Sequence, residues 1–345
     1  MPSHNTVLSL LCVTFAKLTT TTTSALIATT TTTMNTTTIS NVKSPSSPLN
    51  SSQSISMLTW NVLARDYTKY NKELPGCVQG HHNPEGRLET VEQTRARHKL
   101  AVTAIIERAP DAVLLQELSA DFFDTEFNPF AAILQDHFVL VKATNDAGPG
   151  TGVLLRKSGP LRPAGLTLSV GGSEETGGTS KSASGVLVRL DDQPERPIWL
   201  ISIHLTPYKY SPEKVCVHLA QLGDALRSYA NHSTGATRMA PPRMVIGGDL
   251  NAEPSEVRKI QRACPTLGGA LYHVDASGPT GLSSDFSSAE YIDHLFLSPG
   301  LRTTGPVVLE REPGSPYGIP AQASVPSPVI GASDHVWQSV DIELV

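Results

Sequence analysis

One stretch of the chain places a carboxylate and an amide two residues apart, just after an apolar run. Met244 to Ile246 predict a buried strand, and two glycines follow before Asp249 and Asn251. In an extended chain this spacing points both side chains to one face. Both need partners if they are buried, which suits an active site better than a core. The alternative is a strand-turn-helix in which Asp249 and Asn251 only cap the turn.

Other polar residues also close predicted strands. Glu117 follows the apolar run 112–115, where a carboxylate is costly unless it is paired or coordinates a cation. Asn61 lies near the end of an alternating strand that starts at Ile55, and His204 ends another alternating strand. For a single asparagine or histidine, a turn residue or a structural hydrogen bond is the commoner explanation.

Two clusters accompany the last predicted strands, Asp293 with His294 and Asp334 with His335. Every residue of the complete set is flanked by apolar residues at a predicted strand end, so the set indicates a functional site more strongly than any one member. Its members are Asn61, Glu117, His204, Asp249, Asn251, Asp293, Asp334 and His335.

The elements that must position these residues are mostly strands. Helices are predicted from Leu88 to Arg108, from the Ser211-Pro212 cap onward, and from Pro254. The Gly/Ser/Thr-rich segment 170–184 predicts a mobile loop. Further strands are predicted over 138–143, 152–156, 185–190, 198–205, 292–297 and 336–342. Many strands with few helices between them indicate an α/β or α+β sandwich of two sheets with flanking helices.

The first part of the chain has a different composition. It contains two five-residue threonine runs, and no Asp or Glu precedes Asp66. Such a segment cannot bury enough apolar surface to offset its ordering entropy. We predict a disordered Ser/Thr-rich leader over residues 1–55 and a catalytic domain over 56–345. The apolar patch from Val7 to Ala16 keeps a signal peptide, a transit peptide, an anchor and a plain tail open as alternatives.

Composition excludes some classes of protein. The 345 residues carry a formal net charge of −5, unlike a protein that wraps long duplex nucleic acid, although a local basic patch stays open. No apolar run approaches the length of a membrane span. The four cysteines are far apart and form neither a metal motif nor a disulfide framework. They favour a reducing compartment, so we expect an intracellular protein, cytoplasmic or organellar.

Six short pieces, in chain order, resemble the endonuclease/exonuclease/phosphatase superfamily, which has the fold of pancreatic deoxyribonuclease. The pieces are Thr59-Trp60-Asn61, Leu115-Gln116-Glu117, Ile203-His204-Leu205, Gly248-Asp249-Leu250-Asn251, Tyr291-Ile292-Asp293 and Ser333-Asp334-His335. Each piece alone is weak evidence, but all six occur in the order typical of the family. The resemblance implies a four-layer sandwich in which helices flank two packed, mostly antiparallel β-sheets. It also implies an enzyme that hydrolyses phosphodiester bonds with a divalent metal.

The resemblance assigns a metal site to three of these residues. Glu117 and the amide of Asn61 hold Mg²⁺ or Mn²⁺, which prefer hard oxygen ligands. Asp334 lies beside the metal or braces the polar network.

Catalytic roles follow by the same resemblance. Asp249 orients or deprotonates the attacking water, while Asn251 and His204 hold non-bridging phosphate oxygens. His335 stabilises charge that develops on the phosphate, and Asp293 fixes its ring. Whether Asp249 or the Asp293/His335 pair is the general base stays open.

The motifs over 249–255 and 291–298 resemble the carbon-catabolite-repressor-type deadenylase, nocturnin and angel branch. The chain departs from that branch at Trp60, His294 and Val336. The branch implies a 3′-exoribonuclease that acts on single-stranded RNA or on a nucleotide. The alternatives are a 5′-tyrosyl-DNA phosphodiesterase, a DNA endonuclease, a phosphatase or sphingomyelinase-like hydrolase of small phosphoesters, and a catalytically dead binding module. The oligomeric state is not indicated.

Overall fold

Two mixed β-sheets lie at the centre of the computed structural model, which describes residues 54–70, 88–145, 148–178, 181–233, 243–264, 271–276, 278–282, 289–310 and 333–345. The first sheet contains β1 (Ser54–Asn61), β2 (Ala112–Leu118), β3 (Phe138–Asn145), β4 (Gly148–Arg156), β13 (Leu301–Thr303), β14 (Val308–Glu310) and β15 (Trp337–Leu344). The second contains β5 (Leu161–Gly171), β6 (Ser182–Leu190), β7 (Gln193–His204), β8 (Arg243–Asp249), β9 (Tyr272–Val274) and β12 (Asp293–Leu297). Strands β10 (Gly281–Leu282) and β11 (Ala289–Glu290) form a separate pair.

Helices cover the outer faces of both sheets. Helix α1 (Val91–Arg108) and helix α2 (Ala131–His137) share a hydrophobic cluster with the first sheet. Helix α3 (Pro212–Ser233) and helix α4 (Pro254–Ala263) share another with the second sheet. A third cluster fills the space between the sheets. The predicted four-layer sandwich with mostly antiparallel sheets is therefore confirmed.

One parallel strand pair in each sheet brings the ends of neighbouring strands together. Strand β1 runs parallel to β2, which places Asn61 opposite Gln116. Strand β7 runs parallel to β8, which places His204 opposite Asp249. The carboxyl ends of parallel strands meet at one edge of a sheet, so the polar residues that follow these strands are neighbours.

Alternation along β1 decides which way its polar side chains point. Met57 packs between the two sheets, whereas Leu58 and Trp60 pack against the helix layer. Asn61 shares the face of Met57, because side chains alternate along a strand. The strand therefore has two distinct faces, and Asn61 turns toward the second sheet.

The predicted end of α1 at Arg108 and the predicted starts of α3 and α4 are confirmed, whereas α1 starts at Val91, three residues after the predicted Leu88. Thr90 caps α1 in a capping box with Gln93, and Ala109 ends that helix in a left-handed conformation. Pro212 and Pro254 are the first residues of α3 and α4, where a missing N–H is tolerated. Among the described helices, none combines the length and apolarity that a membrane crossing requires.

The segment 170–184, predicted as a mobile loop, is extended only at its two ends, where it closes a paired hairpin; residues 179 and 180 lie outside the described residues. Strands β5 and β6 pair from Gly171 opposite Ser182, and a 3₁₀ turn spans Glu174–Thr176. Strand β5 itself was not predicted. Pairing with a neighbouring strand stabilises these residues although their local composition favours a loop.

Cys216 and Cys264 form a disulfide that joins α3 to the end of α4. The cysteines are 48 residues apart in the sequence, and no spacing rule indicated their pairing. The expectation that the four cysteines form no disulfide framework did not anticipate this one bond. The pairing also removes the basis on which cysteine content favoured a reducing compartment.

We expect Cys216→Ser to lower the free energy of unfolding by about 2–4 kcal/mol, because the cross-link restricts the unfolded chain. Urea unfolding under oxidising conditions measures the loss. Dithiothreitol should destabilise the parent chain by a similar amount and leave the Cys216→Ser variant unchanged. An equal effect of reductant on both proteins would show that the disulfide contributes nothing.

The first strand begins at Ser54, inside the segment 1–55 that was predicted as leader; residues 1–53 lie outside the described residues. Ser54 to Ser56 pair with β15, and Ile55 is buried. We expect deletion of residues 1–50 to leave the melting temperature unchanged. Deletion of residues 1–56 should lower it by roughly 5–10 °C, because it removes the start of β1 and a core isoleucine. Equal melting temperatures for the two truncations would contradict this boundary.

Candidate active site

The first sheet contributes a buried amide and a buried carboxylate that contact each other. Asn61 Nδ2 donates to Glu117 Oε1 at 3.1 Å, and the backbone N–H of Ala64 donates to Glu117 Oε2 at 3.1 Å. Asn61 Oδ1 accepts the N–H of Leu63 at 3.0 Å. Burial raises the pKa of Glu117, and the nearby charge of Lys181 partly opposes that shift. The carboxylate is thus held in place at a site where its negative charge is costly without a cation.

Backbone strain is concentrated around this site. Positive φ angles occur at Leu63 (52°), Glu117 (54°) and Asn251 (50°), and the fourth described non-glycine case is Ala109 at the end of α1. Each such residue costs on the order of 1–3 kcal/mol and persists only where the surrounding structure enforces it. The left-handed conformation at Glu117 turns its side chain away from the regular direction of β2.

The second sheet adds a histidine and a carboxylate at the same edge. His204 Nε2 lies 3.5 Å from Asp249 Oδ2 and 3.7 Å from Glu117 Oε1. Asn61 Nδ2 also donates to Asp249 Oδ2 at 3.0 Å, which bridges the two sheets. The Asn251 backbone N–H donates to Asp249 Oδ1 at 2.8 Å, and its side-chain amide donates to the Leu205 carbonyl at 3.0 Å. Asp249 and Asn251 therefore form the hydrogen bonds of the turn, and Asp249 also contacts the Asn61 side chain of the first sheet.

Two glycines allow the sheets and strands to approach this closely. A Cβ on Gly248, whose φ is +149°, would lie 2.0 Å from the Ile203 carbonyl oxygen. A Cβ on Gly247 would lie 2.9 Å from Leu114 of the facing sheet. The close approach at this glycine pair explains how Asp249 reaches the residues of the first sheet.

A third contribution comes from β12 and the segment before β15. Asp293 pairs with Asp249 across the antiparallel strands β12 and β8. His335 Nδ1 donates to Asp293 Oδ2 at 2.7 Å, and His335 Nε2 lies 3.9 Å from Asp249 Oδ2. Trp60 Nε1 donates to the His335 carbonyl at 3.0 Å and fixes its backbone. Hydrogen bonding to Asp293 aims the other ring nitrogen at the centre of the site.

Burial acts in opposite directions on the pKa values of His335 and Asp249. Burial alone lowers the pKa of His335, but the adjacent Asp293 carboxylate, with Asp334 and Asp249, raises it well above its ordinary value. Burial raises the pKa of Asp249 to about 7, although His335 opposes that shift. His335 is therefore favoured as a cation, and Asp249 is a carboxylate with raised basicity.

Uncharged side chains hold the two sheets together beneath the site. Gln116 Nε2 donates to Ser202 Oγ at 2.9 Å and to Thr59 Oγ1 at 3.3 Å. Ser202 Oγ donates to the Leu115 carbonyl at 2.6 Å. All three side chains are buried, so these bonds join β2 to β7 one residue before Glu117 and two residues before His204.

His294, a departure from the deadenylase motif, anchors the loop after Asp249. Its Nε2 donates to the Ala252 carbonyl at 2.6 Å, so its Nδ1 accepts from His273 Nε2 at 2.8 Å. Burial lowers the pKa of His294 to about 4, which keeps the ring neutral. The histidine thereby supports the segment that carries Asn251 without adding charge to the site.

All eight residues predicted from the sequence lie around one site. Asp334 is half-buried, with its Oδ1 3.9 Å from His335 Nε2, and Ser333 Oγ donates to the Asn61 carbonyl at 2.6 Å. The segment around Asp334 is thereby tied to the end of β1.

Sequence reasoning missed Lys181. Its Nζ contacts His204 Nε2, and its charge acts on both Asp249 and Glu117. Lys181 precedes β6, where Ser182 pairs with His204. Only the register between β6 and β7 could have indicated that Lys181 lies near His204. The composition of the surrounding Gly/Ser/Thr-rich segment predicted a loop and did not mark the lysine as a site residue.

A family model described as the endonuclease/exonuclease/phosphatase family matches residues 58–335, which include every residue of the site. The chain belongs to this family. Its members and structural neighbours hydrolyse phosphoester bonds, and this chain is a phosphoric ester hydrolase. No curated protein matches it.

Solved structures of the endonuclease/exonuclease/phosphatase family share the fold. The human nocturnin catalytic domain with a bound sulfate anion aligns with a TM-score of 0.54 and 16% identity, covering 85% of this chain and 95% of that one. ANGEL2, a 2′,3′-cyclic phosphatase, in complex with adenosine-2′,3′-vanadate aligns with a TM-score of 0.58 and 15% identity. The alignment covers 86% of this chain and 97% of ANGEL2. Truncated Caenorhabditis elegans TDP2 aligns with a TM-score of 0.54 and 14% identity. The alignment covers 85% of this chain and 98% of that one. At these identities the likeness establishes the architecture.

The charges of the site fit the divalent metal on which enzymes of this family generally depend. Ligand atoms of Glu117, His204 and Asp249 lie within 4.8 Å of one another. The buried carboxylate of Asp293 and the half-buried carboxylate of Asp334 lie 2.7 Å and 3.9 Å from ring nitrogens of His335. Burial raises the pKa of Glu117 and of Asp249, so a divalent cation beside these carboxylates would stabilise their charged forms.

Proposed function

We propose that this hydrolase is a Mg²⁺- or Mn²⁺-dependent 3′-exoribonuclease that acts on single-stranded RNA or on a nucleotide. The observation that supports it is the buried group of Asn61, Glu117, Asp249, Asp293 and His335 at the meeting edge of two sheets. Glu117 and Asn61 would hold the metal, with Asp334 beside them. When bound, the cation polarises the phosphate and balances charge on the leaving oxygen.

Asp249 is the proposed general base. Its Oδ2 accepts from Asn61, while its Oδ1 accepts from the Asn251 backbone, so the carboxylate is oriented from two sides. Burial raises its pKa toward the pH at which a base is most effective. The carboxylate takes a proton from the attacking water as the oxygen of that water approaches phosphorus.

His335 is the proposed charge stabiliser. Asp293 accepts its Nδ1–H and favours the imidazolium, so His335 has no lone pair with which to take a proton from water. Its Nε2–H points toward Asp249 and toward the place where phosphate oxygens gain charge. This division of roles favours Asp249 over the Asp293/His335 pair as the base.

Single-stranded RNA is the favoured substrate because the motifs around Asp249 and Asp293 resemble the deadenylase branch. The neighbour that binds sulfate and the neighbour that binds adenosine-2′,3′-vanadate are consistent with a phosphate-binding site on a nucleotide enzyme. Trp60 favours one second candidate, a 5′-tyrosyl-DNA phosphodiesterase, since the deadenylase motif usually has tyrosine there.

A hydrolysis screen tests the substrate class. The arms are oligoadenylate, 5′-tyrosyl DNA, duplex DNA with an abasic site, an RNA that ends in a 2′,3′-cyclic phosphate, and inositol phosphates, each with Mg²⁺ or Mn²⁺. We expect stepwise shortening of oligoadenylate from its 3′ end. Turnover restricted to the tyrosyl adduct selects the second candidate, and turnover restricted to inositol phosphates rules out a nucleic-acid enzyme.

A further inference from the structure

Lys181 is held in the site by its own backbone. Its N–H donates to the Gly178 carbonyl at 3.1 Å, and its carbonyl accepts the N–H of Gly172 at 2.9 Å. Gly172 and Gly178 both have positive φ angles, which this turn requires. The half-buried lysine therefore starts from a fixed position beside β7 and extends toward the strand end.

The same hairpin packs against the loop that follows His204. Thr206 Oγ1 donates to the Thr176 carbonyl at 2.9 Å. A Cβ on Gly177 would lie 1.8 Å from Thr206 Oγ1, so the two segments are in close contact. The hairpin cannot place Lys181 elsewhere without losing these contacts.

The contact between Lys181 and His204 determines which atom can donate to a phosphate. An ammonium carries three N–H donors and no acceptor. The contact of Lys181 Nζ with His204 Nε2 is thus a bond that the lysine donates and the ring nitrogen accepts. A nitrogen that accepts this bond has no hydrogen to donate to a phosphate oxygen. His204 Nε2 itself lies 3.5 Å from Asp249 Oδ2 and 3.7 Å from Glu117 Oε1, so the ammonium group that contacts it lies beside the proposed phosphate site with two hydrogens left to donate.

We propose that Lys181 donates directly to a non-bridging oxygen of the scissile phosphate, and that His204 is a positioning residue that orients the ammonium. This inference rests on the proposed phosphodiesterase function. It moves the phosphate contact that family resemblance assigns to His204 onto a lysine outside the six motifs. An ammonium fixed beside the phosphate also favours the transition state, because charge on the oxygens increases there.

Turnover and anion binding by Lys181→Met test the proposal. We expect a roughly 100-fold or larger loss of kcat, as for other lost donors to a developing oxyanion, with a much smaller change in KM. Sulfate affinity, measured by calorimetry on the metal-loaded protein, should weaken at least about tenfold. Lys181→Arg keeps the charge and should recover part of both losses. Lys157→Met is the control. Lys157 is exposed and directly follows β4, at the end of that strand away from Glu117.

The role of His204 is tested by a double-mutant cycle. Because His204 acts through Lys181, His204→Gln should cost little in a Lys181→Met background. Multiplicative losses would show that His204 contacts the phosphate independently and would overturn the proposal. Normal turnover and sulfate affinity in Lys181→Met would also overturn it. If Lys181→Met melts early, Lys181→Gln replaces it.

The anion measurement separates this inference from the proposed function. If the parent protein hydrolyses nothing in the screen but loses sulfate binding on Lys181→Met, the phosphodiesterase proposal fails and the lysine assignment stands. If hydrolysis is intact in Lys181→Met, the enzyme proposal stands and the lysine assignment fails.

Discussion

Asp249→Asn should lower kcat by about 100-fold or more and change substrate affinity little, because a general base acts mainly in the transition state. The substitution keeps the shape of the side chain and retains an acceptor for the Asn251 backbone N–H. It removes the lone pair that takes the proton from water. Single-turnover rates and equilibrium binding, measured with a substrate found by the screen, distinguish the two effects.

His335→Ala should also lower kcat far more than affinity, since it removes the imidazolium that faces the phosphate. His335 Nε2 lies 3.9 Å from Asp249 Oδ2, which is close enough for both side chains to contact one phosphate, as proposed. Residues that act as a unit are non-additive, so the double variant should lose less than the product of the single losses. Strictly multiplicative losses, or losses confined to affinity, would contradict a shared site.

Asp136→Asn is the matched control for these variants. Asp136 is exposed on α2, and its substitution makes the same change of charge and shape away from the site. Its turnover should equal that of the parent chain. If Asp249→Asn resembles this control, Asp249 serves only the turn between β8 and α4.

Local patterns predicted the residues that end each strand and the face on which they lie. Alternation around Asn61 and His204 was enough, because the side-chain period of a strand is two and one face of each sheet packs on helices. Caps at Pro212 and Pro254 likewise depend on a few neighbouring residues. The order of the six motifs then supplied the fold that positions them.

Contacts between distant segments could not be predicted in this way. The Cys216–Cys264 disulfide depends on how α3 and α4 pack against the second sheet. Lys181 depends on the register between β6 and β7, where one residue of slip would move every side chain to the other face. The positive φ at Glu117 is enforced by surrounding hydrogen bonds and opposes the conformational preference of glutamate.

Glu117→Gln should lower the rate of hydrolysis by roughly 100-fold or more. The substitution weakens the metal-dependent stabilisation of charge in the transition state, and a loss of several kcal/mol there corresponds to at least about two powers of ten in rate. Glu117 is the penultimate residue of a strand in which every residue is buried, and its two oxygens already accept from Asn61 and Ala64. Glutamine keeps the volume and one of these acceptors. It removes the negative charge that a divalent cation neutralises.

The same variant should fold normally, which separates the loss of metal binding from unfolding. A carboxylate that burial disfavours is replaced by a neutral amide, and this gain offsets one lost hydrogen bond of about 1 kcal/mol. We therefore expect a melting temperature near that of the parent chain, with weaker Mn²⁺ binding in a calorimetric titration. Glu107→Gln, on the exposed face of α1, controls for the change in charge. Full activity in the presence of chelator, or Mn²⁺ affinity and turnover in Glu117→Gln equal to the control, would refute a metal site at Glu117.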